Sequence, residues 1–86
     1  MTINQLADSA LEYLKGFFPD ADKIQLEEIE KTDDNLYCFI TLSYESSDIP
    51  EPTNSWLIKK SRKFKIFKID VETGEVRSMK IRDLKI

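Results

Sequence analysis

The side chains able to do chemistry in this 86-residue chain are carboxylates, amines and a single thiol. Histidine is absent, which removes the commonest general base and the commonest metal ligand. Cys38 sits inside "LYCFITLSY", in phase with Leu36, Ile40 and Leu42. A cysteine in that phase is expected to be a small buried hydrophobe, not a nucleophile. The glutamates Glu27, Glu28 and Glu30 cluster in "LEEIEK". Paired carboxylates can hydrolyse glycosides, but these fall on a predicted strand with no evident cleft and read as a solvated face. Neither "DAD" nor "DD" has the ligand spacing and glycine of a calcium loop. With glycine only at positions 16 and 74, no loop can cradle a phosphate. No catalytic residue, metal ligand or cofactor is assigned, and the chain is expected not to be an enzyme.

The densest functional chemistry is cationic. "KKSRKFKIFKID", residues 59–70, holds Lys59, Lys60, Arg62, Lys63, Lys65 and Lys68 with Phe64, Ile66, Phe67 and Ile69 between them. Such a strip could track a nucleic-acid backbone, with Trp56, Phe64 and Phe67 offering stacking faces. Against this, the sequence pI is about 4.9, whereas nucleic-acid-binding domains usually lie above about 9. Lysines on a strand also guard a sheet edge against unwanted pairing.

The charge is divided along the chain. Residues 1–52 carry twelve acids and three bases, and residues 53–86 carry ten bases and four acids, for a whole-chain net of −3. The halves are expected to lie side by side and attract, because charges on one small domain sit within a Debye length or two of each other. Length sets one domain, residues 1–86, with room for one small core. The start "MTINQLADSALEYL" has no Lys or Arg and so lacks the basic opening of a secretory signal. No run reaches the roughly 18 apolar residues of a membrane span, and the lone cysteine suits a reducing compartment. A cytoplasmic location without membrane association is the expectation.

These side chains must be positioned by few elements. Thr2 and Gln5 have capping-box spacing. Ile3, Leu6, Ala7, Ala10, Leu11, Leu14 and Phe17 or Phe18 then form a helical stripe that Pro19 ends. "KIQLEEIEK" alternates but slips phase at Glu27-Glu28, where a bulge would return Ile29 to the inner face. "TDDN" is a hairpin turn. "LYCFITLSY" is the strongest strand, with Tyr37 and Phe39 on the face opposite Cys38 and Ile40. "ESSDIPEPTNS" is a loop, and residues 56–58 form a short candidate strand. "KFKIFKIDV" and "EVRSMKI" make a final hairpin. A three-residue loop there would pair Val71 with Glu75 and Phe67 with Met79; a four-residue loop would pair Val71 with Val76. The predicted fold is α+β, an N-terminal helix on one face of a four- to five-stranded antiparallel meander.

The helix leading into "FPDADKI", the acidic strand, "LYCF" and "FKIDVETGEV" together resemble the small PepSY-like domains of bacteria, similar in shape to the cystatin-like roll. Pro19, Ala21, Ile69, Asp70, Thr73, Gly74, Glu75 and Val76 carry the resemblance. It implies a non-enzymatic binding or inhibitory module, often in secreted or membrane-attached proteins that act on peptidases. It supplies no catalytic residues, and this chain departs from it in its basic strip and in lacking a signal sequence.

Together these features predict a small binding module that meets a protein partner, or a second copy of itself, through the sheet face opposite the helix. Tyr37, Phe39, Trp56, Phe64 and Phe67 are the candidate contact residues. A phase slip at Ile66-Phe67 would gather Phe64 with Phe67 and Ile69 on one face. Without it, β-strand alternation leaves apolar side chains on both faces. The second face then needs a partner, or a cover from Trp56 or the C-terminal "DLKI". Nucleic-acid backbone binding by the basic strip is the alternative.

Overall fold

A computed structural model of the chain describes residues 1–47 and 60–82. Helix α1 spans Ile3–Phe17, and strands β1 (Asp22–Lys31), β2 (Tyr37–Ser47), β3 (Lys60–Asp70) and β4 (Val76–Ile81) follow. The strands form one antiparallel sheet in the order β1-β2-β3-β4. The fold is α+β, with one helix on a four-stranded meander. Trp56, Lys59, the candidate strand at residues 56–58 and the "DLKI" segment lie outside the described residues.

The capping box closes as its spacing requires. Thr2 N–H donates to Gln5 Oε1 at 2.8 Å and Gln5 N–H donates to Thr2 Oγ1 at 3.2 Å. Leu6, Ala10 and Leu14 are fully buried, while Ile3 and Phe17, at the ends of the predicted stripe, are exposed. Tyr13, off that stripe, packs instead, its ring edge-on to Phe67 at 6.3 Å. The buried stripe meets Cys38, Ile40, Leu42 and Tyr44 of β2 and Phe67 and Ile69 of β3. The helix packs chiefly on β2, β3 and β4, so Leu26 on β1 stays about half exposed.

Two bulges shape β1. Glu27 is the extra residue between the pairs Leu26–Leu42 and Glu28–Thr41, which returns Ile29 opposite Ile40. A second irregularity between Asp22 and Gln25 coincides with Lys23 in the left-handed region, φ 49°. The β2–β3 ladder runs without interruption from Tyr37–Asp70 to Ser47–Lys60. Strand β2 therefore continues into the predicted loop through Glu45, Ser46 and Ser47, because those residues find ladder partners in Arg62, Ser61 and Lys60.

The final hairpin combines features of both predicted registers. Asp70 N–H donates to Glu75 O and Gly74 N–H donates to Asp70 O, which leaves four residues in the loop. Ile69 then faces Val76, Arg77 is bulged out, and Phe67 faces Met79. Gly74 has φ +76°, the conformation glycine adopts at no steric cost. The Asp70 carboxylate accepts from Glu72 N–H at 2.9 Å and Thr73 N–H at 3.1 Å. These bonds, the Thr73 one foremost, hold its carboxyl below the usual carboxylate range. In the "TDDN" turn, the Thr32 hydroxyl and then the Leu36 N–H do the same for Asp34. A depressed native pKa contributes stability above the unfolded pKa, and that contribution is lost as pH falls through the native value. The urea midpoint should therefore drop as pH falls from about 5 to about 2, and drop less in Asp70→Asn, which keeps an acceptor but not the charge. An equal drop in both proteins would remove Asp70 from this account.

Candidate functional site

The face opposite α1 is defined by uninterrupted alternation in the two central strands. Tyr37, Phe39, Thr41 and Ser43 of β2 share it with Arg62, Phe64, Ile66 and Lys68 of β3. The pairing register adds Glu28 and Glu30 from β1 and Ser78 and Lys80 from β4. There is no bulge at Ile66-Phe67. Phe64 and Ile66 consequently lie on this face, and Phe67 and Ile69 lie under the helix with no exposed surface.

Of the predicted contact residues, the structure brings Tyr37, Phe39 and Phe64 onto one face, each half-buried. Phe67 is a correction. It is a core residue and cannot touch a partner, because period-two alternation puts it one step out of phase with Phe64 and Ile66. Ile66 takes its place. It is half-buried on the same face, and with Phe39 it lines a depression of about 520 Å³. Sequence reasoning singled out the aromatics and underrated this isoleucine, although its spacing from Phe64 already placed the two on one side.

Two arginines reach across the face. Arg62 Nε donates to Ser43 Oγ at 3.0 Å and its Nη2 donates to Lys23 O, on β1, at 2.7 Å. Ser43 Oγ donates onward to Glu27 Oε2 at 2.6 Å. From the far side of the sheet, Arg82 Nη1 donates to Thr41 Oγ1 at 2.8 Å and to Glu28 Oε2 at 3.0 Å. Thr41 and Ser43 are buried by this arrangement. Buried hydroxyls need partners, and here charged groups supply them. The acidic first half and the basic second half do meet, through Arg82–Glu28, whereas Lys23–Glu45 at 3.5 Å joins two residues of the first half.

The basic strip is divided by the same alternation. Arg62 and Lys68 lie on the face opposite the helix; Lys63 and Lys65, opposite Tyr44 and Leu42, lie on the helix side. Lys68 Nζ stands 4.3 Å from the centroid of the Tyr37 ring and Lys65 Nζ 5.2 Å from that of Phe18. Lys60 pairs with Ser47 at the start of β3. Arg62, Lys63 and Lys65 also line a corner depression of about 460 Å³ with Phe18, Tyr44 and Phe64.

Burial pushes the Cys38 thiol up, away from the thiolate, and no part of the residue reaches solvent. Among the described residues no three Cys, Asp or Glu side chains are grouped so as to hold a metal ion, and no helix is long and apolar enough to cross a membrane. What the opposite face offers is an apolar strip, Tyr37, Phe39, Ile66 and Phe64, framed by acids on the β1 side and bases on the β4 side. No protein-family model, curated protein or solved structure matches the chain.

Proposed function

We propose that the chain is a non-enzymatic protein-contact module that acts through the sheet face opposite α1. The observation that carries this is the placement of Phe64 and Ile66 beside Tyr37 and Phe39, with no second layer over them among the described residues. A contiguous apolar strip with a charged frame has the make-up of a protein interface, apolar at its centre and polar at its rim. The resemblance to PepSY-like domains is in keeping with a role in binding. Nucleic-acid backbone binding has less support, because the strip's cations are divided between two faces, and Lys65, Lys68 and Arg62 are engaged with the chain's own rings, a hydroxyl and a backbone carbonyl.

The test is retention from an extract of the source cell. Wild type is expected to retain a specific protein, or further copies of itself, and Phe39→Ser and Ile66→Ser are each expected to lose it while still unfolding cooperatively, at a stability cost of about 1 kcal/mol. Retention unchanged in both variants, or no protein retained at all, would overturn the reading.

A further inference from the structure

We infer that the occupant of this face is a second copy of the chain, stacked sheet to sheet about a two-fold axis running parallel to β2 and β3. The inference rests on the protein-contact reading and names its partner.

The charge pattern across the sheet selects both the partner and the axis. One flank of the face is acidic, with Glu28 and Glu30 on β1; the other is basic, with Lys80 on β4 and Arg82 just beyond it. Glu28 and Arg82 already bond each other across the face. Glu30 and Lys80 are exposed, and neither has an ion-pair partner among the described residues. A two-fold axis parallel to the strands, passing between β2 and β3, lays the β1 flank of each copy over the β4 flank of the other. Each acid flank then meets a basic one, twice per dimer. The same axis brings β2 over β3, so Phe39 of one copy lies over Lys68 of its mate and two residues along the strand from the mate's Ile66. An axis perpendicular to the strands would instead put acids on acids and bases on bases. Opposite charge on the two flanks of one face is what an isologous contact requires, since each patch must complement itself after rotation.

The size of the face fits a reversible pair. Four strands about 4.8 Å apart and about 30 Å long give a flat patch of roughly 600 Å², a little under the roughly 800 Å² per partner of a standard interface. Sheets packed face to face keep their strands within about 30° of each other; the axis sets Glu30 over the mate's Ser78, about 7 Å along the strand from Lys80, a gap these two long side chains can span.

Sedimentation of the purified chain tests the inference. Wild type is expected to be a monomer–dimer equilibrium that weakens as salt is added. Glu30→Lys and Lys80→Glu should each raise the dimer Kd by about tenfold, since each reversal turns two attractions into repulsions. An equimolar mixture of the two variants should recover dimer, and so should the double variant alone, because both restore opposite charges across the axis. A wild type that stays monomeric up to about 1 mM, a dimer indifferent to both reversals, or a double variant as weak as the singles would each overturn it. Retention of a different protein through Phe39 and Ile66 by a monomeric wild type would remove the second copy and leave the contact module standing. A monomer that retains nothing would remove both.

Discussion

Phe67→Ala is expected to lower the unfolding free energy by about 3–5 kcal/mol, the range for truncating a fully buried aromatic. Phe67 has no exposed surface and packs among Leu6, Ala10, Leu14, Ile40 and Ile69, with the edge contact to Tyr13 in addition. A domain of this size has about 5–10 kcal/mol in total, so the variant should unfold at a far lower urea concentration, or be unfolded at room temperature. Phe64→Ala is the control. Phe64 is the same residue type three positions earlier, half-buried on the other face, and its truncation should cost only about 1 kcal/mol. Urea melts of the two variants under one condition give the comparison. Equal losses would mean that the two rings are equally buried, and the assignment of Phe64 to a contact face would fall with that result.

Ser43→Ala is the second large effect, about 1.5–3 kcal/mol, although it removes only one oxygen. Ser43 is fully buried on the sheet face that carries no helix, and its hydroxyl accepts from Arg62 and donates to Glu27. Hydrogen bonds to charged groups fall at the upper end of the net range, and the loss leaves an arginine that is only half exposed without one of its acceptors. A double-mutant cycle with Arg62→Met isolates the pair, with a coupling of about 1 kcal/mol or more expected between contacting residues. Additive melts would show that Arg62 is held by Lys23 O alone. The cycle also probes the face itself, because Arg62 and Arg82 are the charged partners of its buried hydroxyls, Ser43 and Thr41.

Much of the fold was legible because its signals are local. The Thr2–Gln5 capping box, the stop at Pro19, the slip at Glu27 and the left-handed Gly74 each depend on a few neighbouring residues, and all are present. The fifth strand proposed at residues 56–58 lies outside the described residues. The hairpin register was less legible. Asp70, Thr73 and Gly74 specify a turn, but the bulge at Arg77 depends on how Met79 and Val76 seat against the core. Helix burial was shifted as well. Tyr13 packs and Ile3 does not, since the helix lies where Phe67 and Tyr44 meet it and not where periodicity alone would centre it.

The candidate face shows the same division. Residue types and period-two spacing by themselves determined that β3 carries apolar groups on both sides and that its cations alternate with them. They also determined that the acids precede the bases along the chain. Only the tertiary structure decided that the strand runs straight past Ile66-Phe67, which sends Phe67 to the core and Ile66 to the face. It alone placed the acids and bases on opposite flanks of one sheet and drew Arg62 and Arg82 across it. Alternation is a property of one strand and can be read along it. Register and flank are properties of four strands at once, set by which bulges the shared core and the cross-strand hydrogen bonds select.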